Sequence, residues 1–371
     1  MRPSVIAAYT AALSVVGNPS SIHSSGQNAK RMLEEAREQV AASVGADPIE
    51  VTFTSGGTEA VNLGIKGLFW ARNADGSRPR ILSTRAEHHA SLDSLEWLIA
   101  HDRAVVDWIP VDESGRIDLE ALREALRPDV ALVTTLLANN EVGTVQPLAE
   151  IVALASAHGV PVHGDGVGFH GHLPIDFAQS GLAALSLSAH KIGGPVGIGA
   201  LVISRATTVT PLIHGGNQQR ARSGTQDAAG AVAFGVAAAA PAPSDPALRD
   251  RLIEGVRAAI PDAVLLGDPV NRLPGNAHFT FPGCEGDSLL FLLDVAGFSV
   301  STGSACQAGV PEASHVLLAM GLDEPTARGA LRLTIGHETT ESEVDAVVAA
   351  LPAVVERARA AGFADRVPPG R

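Results

Sequence analysis

The chain has 371 residues, enough for one large or two moderate domains with a sizeable core. Its 27 Lys and Arg against 40 Asp and Glu leave a net charge of −13 with no basic block, which argues against nucleic acid as the main partner. Two cysteines, Cys284 and Cys306, make no disulfide framework and fit a reducing cytoplasm; the most apolar run, 230–240, is far too short to span a bilayer, and no signal-peptide pattern opens the chain.

A loop, Gly17-Asn18-Pro19-Ser20-Ser21-Ile22-His23, precedes the first periodic segment. Met32, Leu33, Ala36, Val40 and Val44 then recur at helical spacing until Gly45 stops the helix. Residues 51–54 read as a strand, and Ser55-Gly56-Gly57-Thr58-Glu59 opens a second helix. A strand, small residues and a helix N-terminus make an anion site, because free backbone N–H groups and the helix dipole both favour a phosphate; a plain capped turn would look the same. Strands at 80–84, 105–109 and 130–136 alternate with helices at 92–100, 119–126 and 148–158, which implies a mainly parallel sheet covered by helices on both faces. Glu87-His88-His89, Asn139-Asn140-Glu141, Asp165 and Lys191 fall just after strand ends, where such sheets bind ligands.

The strand at 183–187 runs into Ser188-Ala189-His190-Lys191 and a glycine-rich run to Gly199, after which a strand resumes. A lysine at the mouth of a buried sheet is expected to be desolvated, which lowers an amine's proton affinity and suits a Schiff-base lysine. Asp165 ends the preceding strand, and lysine with aspartate is the pair that pyridoxal phosphate (PLP) requires. Taken one at a time, a surface lysine and a turn aspartate are equally ordinary readings. A Pro/Ala segment, 238–246, marks a domain boundary; beyond it come helices at 248–259 and 287–295, strands at 278–281, 299–301 and 330–335, and a final helix with Pro352 inside it.

Cys306 lies in a polar loop of small residues, 302–311, whereas Cys284 reads as a buried hydrophobe. His170 and His172 read as surface histidines rather than a zinc pair, since no further ligand stands at suitable spacing, and no metal is expected.

These blocks together resemble the cysteine desulfurases, PLP enzymes of fold type I and aminotransferase class V. The blocks are 54–63, Glu87-His88, 139–143, 188–191, Arg222-Ser223-Gly224-Thr225 and Ser301-Thr302-Gly303-Ser304-Ala305-Cys306, and the match runs nearly the whole chain. The resemblance implies a large α/β PLP-binding domain over 15–245 and a smaller α+β C-terminal domain over 246–371, with 1–14 packing on the latter. It implies that Lys191 carries the PLP, Asp165 pairs with its ring nitrogen, and His88 stacks on the ring and helps move protons. Asn140 would sit near the ring oxygen or substrate. Gly57, Thr58, Ser188 and His190 would hold the phosphate, Thr225 would reach the phosphate of a second subunit, and Arg332 would grip the substrate carboxylate. The expected reaction takes sulfur from L-cysteine onto Cys306 as a persulfide, leaves L-alanine, and passes the sulfur to an acceptor protein of iron–sulfur or thio-cofactor assembly. A homodimer is implied.

Three departures stand out. The family usually begins with a segment like Tyr-x-Asp-Asn-Ala-Ala-Thr-Thr-Pro, and this chain starts at Met1-Arg2-Pro3, just beyond it; either the start is assigned late or a strand lining the site is missing. The family's Ala-Val-Gln after the aspartate is here Gly166-Val167-Gly168, and the stretch 215–222 is one residue shorter. A selenocysteine lyase or another PLP β-lyase, and a non-catalytic dimeric relative, are the alternatives.

Overall fold

The computed structural model describes residues 1–303 and 313–364. They divide into two compact units: 1–109, 118–137 and 147–242 form the first, and 110–117, 138–146 and the chain from 243 onward form the second.

In chain order the first unit contains α1 (Pro3–Leu13), α2 (Ser24–Ser43), β1 (Val51–Thr54), α3 (Gly57–Arg72), β2 (Arg80–Thr84), α4 (His89–Asp102), β3 (Val105–Ile109), α5 (Leu119–Ala125), β4 (Val130–Leu136), α6 (Leu148–Ala157), β5 (Val162–Asp165), α7 (Phe177–Ser180), β6 (Ala184–Ser188), β7 (Gly199–Ile203) and α8 (Ala228–Ala239). Its strands form one sheet in the order β1-β7-β6-β5-β4-β2-β3. Neighbours pair in parallel except at β7, which runs antiparallel to both β1 and β6. Parallel strands are joined by helices that cover the sheet, so every residue of β4 is buried. The reversal at β7 follows from Gly193 and Gly197, at φ 79° and 85°, which turn the chain back on itself after Lys191. Gly199 must also lack a side chain: a Cβ there would stand 2.6 Å from the Leu187 carbonyl oxygen.

Two expectations change here. Residues 1–14 were expected on the C-terminal domain; α1 instead belongs to the first unit and packs on α8. Arg2 fixes it there, its amide donating to Gly193 O at 3.1 Å and its guanidinium reaching the Ala237 and Ala240 carbonyls at the end of α8. The strand expected at 299–301 is reduced to a single bridge between Ser301 and Arg332.

The second unit holds α9 (Pro246–Ala259), β8 (Val264–Leu266), β9 (Asn276–Thr280), α10 (Gly286–Val295), α11 (His315–Ala319), α12 (Glu324–Arg328), β10 (Ala330–Thr334) and α13 (Glu341–Ala364). Its antiparallel sheet, β10-β9-β8, buries Phe279, Leu331 and Leu333 against Val256, Leu289, Val344 and Leu351 of the helices. The segment 138–146 joins this unit through backbone, with Val145 N donating to Asn271 O at 2.9 Å.

Candidate active site

The anion end of the site is built by β1 running into α3. Gly56, at φ 151°, caps α3 with no side-chain bond, which leaves the first-turn amides as donors at the positive end of a sixteen-residue helix. Gly57 brings that turn close to two other segments: a Cβ on it would lie 2.7 Å from Val167 Cγ2 and 3.2 Å from Ser188 Cβ. Ser188 ends β6, and its hydroxyl lies 2.8 Å from His190 Nδ1. Burial, then the Lys191 charge, lowers the His190 imidazole from its ordinary range. Thr58 and His190 are exposed. Glu59 accepts from Ser55 N at 2.7 Å and pairs with Arg222 Nε at 3.0 Å, so it ties the segment leading to Thr225 back to the start of α3. Thr225 itself is exposed.

Asp165 is the last residue of β5 and only 2% exposed. Burial pushes its carboxyl up to about 6, opposed by the Val167 amide, which donates to Oδ1 at 2.9 Å, and by the charge of Lys191. Lys191 sits in the single helical turn after β6, Ala189–Ile192. This lysine was expected to be desolvated; in the single chain Lys191 is exposed. His88 caps α4, its Nδ1 accepting from Ala90 N at 3.0 Å, which puts the proton of the neutral ring on Nε2. Gly168 lies within the turn that His170 N closes onto Gly166 O at 2.8 Å.

This arrangement fits PLP. An uncapped helix start with a serine–histidine pair beside it matches a phosphate, and a buried carboxyl with one amide donor matches a protonated ring nitrogen.

Within the second unit Arg332, on β10, donates from Nη1 to Asn140 O at 2.9 Å. Burial lowers its guanidinium and the Glu141 carboxylate acts the other way. His278, register partner of Arg332 on β9, is fully buried, and burial pushes it down to about 3. Cys306 lies outside the described residues. Cys284 is buried, and burial raises its thiol.

His170, expected at the surface, is 3% exposed, with Nε2 2.9 Å from Ser43 Oγ. Sequence reasoning missed Glu59 as the tether of the Thr225 segment; the signal was Glu59 inside the 54–63 block, but its partner Arg222 lies 163 residues on. It also missed His163, whose ring bridges Thr134 and Ser186 at 2.8 Å each, fixing β5 between β4 and β6 just before Asp165.

A family model described as Aminotransferase class-V matches residues 1–347. An "IscS-like cysteine desulfurase" of Mycobacterium tuberculosis (strain ATCC 25618 / H37Rv) is 52% identical over 379 residues, covering 98% of this chain and 96% of the relative. Among solved structures, a "NIFS-LIKE PROTEIN" superposes with a TM-score of 0.87 at 32% identity, covering 96% of each chain. A structure titled "SspA in complex with cysteine" gives 0.80 at 31% identity over 92% of this chain and 97% of that one.

Proposed function

Because this chain belongs to the aminotransferase class-V family and is a PLP-dependent cysteine desulfurase, we propose that it takes sulfur from L-cysteine through Lys191, Asp165, His88, Arg332 and Cys306. The observation that carries the assignment is the packing of Gly57, Val167 and Ser188 into one cluster, which brings the phosphate-type helix start to the strand ends bearing Asp165 and the Lys191 turn. The chain has three lysines. Lys30 stands on α2, and Lys66 lies over the Trp97 ring at 4.5 Å, which leaves Lys191 for the cofactor.

Gly57, Thr58, Ser188 and His190 would hold the phosphate of bound PLP, and the charged Asp165 carboxylate would keep its ring nitrogen protonated. Bound PLP supplies an electron-poor ring that acidifies the α-carbon of the amino acid. Arg332 orients the cysteine carboxylate, with Asn140 beside it. Lys191 Nζ carries the α-proton away, and His88 Nε2 exchanges protons at the thiol. The Cys306 thiolate then attacks the substrate sulfur: an S–S bond forms, the Cβ–S bond breaks, and its electron pair stays on the carbon, which takes a proton and leaves as L-alanine. Two copies of the chain complete each site through Thr225, and the persulfide passes to an acceptor protein of iron–sulfur or thio-cofactor assembly. Among the described residues no helix is long and apolar enough to cross a membrane. Borohydride reduction of the holoenzyme followed by peptide mapping tests the assignment: the pyridoxyl label falls on Lys191, and a label on Lys30 or Lys66 overturns it.

A further inference from the structure

Glu87 is a carboxyl that the reaction above does not use, yet it is 1% exposed and stands immediately before His88. Its Oε1 accepts from Leu136 N at 3.0 Å and from the Thr84 hydroxyl at 3.3 Å. Leu136 is the register partner of Asp165 across β4 and β5, and the next amide, Leu137 N, donates to Asp165 O at 2.9 Å. One carboxyl oxygen therefore spans from the turn that presents His88 to the strand position beside Asp165. We propose that Glu87 is a positioning residue that works as an uncharged acid, tying the His88 turn to β4 and leaving Asp165 as the member of this carboxyl pair that carries the charge.

The electrostatics follow from the same placement. Burial is the main effect on Glu87 and pushes it up to about 8; the charge of Asp165, facing it from β5, adds to this, and the Leu136 amide with the Thr84 and Ser91 hydroxyls acts the other way. Asp165 has the Lys191 charge acting on it, so it ionises first, and the second proton of the pair is then held more tightly. A neutral carboxyl still accepts the Leu136 N–H through its carbonyl oxygen, and so does a glutamine amide. An alanine leaves that buried N–H without its acceptor.

The inference rests on the reading of His88 and Asp165 given above, and one arm of its test does not need that reading. In the cofactor-free full chain, thermal midpoints of wild type and Glu87→Gln are compared from about pH 5 to about pH 8. The folded state holds the Glu87 proton that the unfolded chain gives up, so wild type loses stability from Glu87 across this window, a loss the glutamine variant lacks, while the contribution of Asp165 is common to both. The midpoint difference therefore moves in favour of Glu87→Gln as pH rises, and a difference independent of pH overturns the proposal. In the holoenzyme, Glu87→Gln keeps the PLP dissociation constant within about threefold and Glu87→Ala weakens it by about tenfold or more, the scale of one hydrogen bond. A folded glutamine variant whose PLP affinity falls by about tenfold or more also overturns it, whether or not the alanine variant folds. Failure of the wider reading looks different: wild type then carries no PLP on Lys191, while the cofactor-free comparison still reports on Glu87.

Discussion

The Arg332 guanidinium donates from Nη1 to the Asn140 carbonyl at 2.9 Å, while its buried Nε has no partner among the described residues. One corner of the fork is thus fixed by backbone, which orients the plane, and an unused buried donor remains for a carboxylate. Replacement by lysine keeps the charge and loses the fork. Arg332→Lys should raise KM for L-cysteine by about tenfold to a hundredfold, the scale of one or two charge-assisted bonds, without changing PLP content. Steady-state alanine release together with cofactor absorbance checks this.

Asp165 gives the expected pH dependence of cofactor capture. Its carboxyl is raised to about 6 by burial, and only the ionised form suits a protonated ring nitrogen. Stability of the cofactor-free chain accordingly falls as pH rises from the ordinary aspartate range to about 6, whereas affinity for PLP rises through the same point. Below it, affinity should drop by about tenfold per pH unit more in wild type than in Asp165→Asn, which removes the titration. Fluorescence titration of PLP at several pH values measures the difference.

Much of this architecture was legible in the sequence. The strands at 80–84 and 105–109 and that at 130–136 match β2, β3 and β4 to the residue, because Ile81, Leu82, Val106 and the apolar run Val130-Ala131-Leu132-Val133 of β4 sit between clear breakers. α1 and α8 were not read as helices: Ile6-Ala7-Ala8-Tyr9 and the alanine-rich 228–239 lack an apolar stripe, since small residues pack equally on any face. β8 is three residues long, too short for a pattern. The blocks around Thr225 and His88 were visible as motifs, but the bonds that hold them, Glu59 to Arg222 and Glu87 to Leu136, join residues far apart in the chain, and no local pattern encodes them.

Thr225 is exposed although its segment is tethered to the α3 start through Arg222 and Glu59. A hydroxyl bond to a phosphate across the proposed dimer is charge-assisted, so Thr225→Ala should weaken PLP retention by about tenfold or more while the dimer persists. Gel filtration with cofactor titration checks both halves; unchanged retention in a folded variant contradicts the role.

The account stands most directly on one measurement, the intact mass and alanine yield of the holoenzyme after L-cysteine treatment without reductant, for wild type and Cys306→Ala. Wild type should carry one additional sulfur on the Cys306 peptide, and the variant should bind PLP, show the cofactor's yellow colour, gain no sulfur there and release little alanine. If Cys306→Ala releases alanine from L-cysteine at the wild-type rate, sulfur does not leave through Cys306 and the proposed transfer is contradicted.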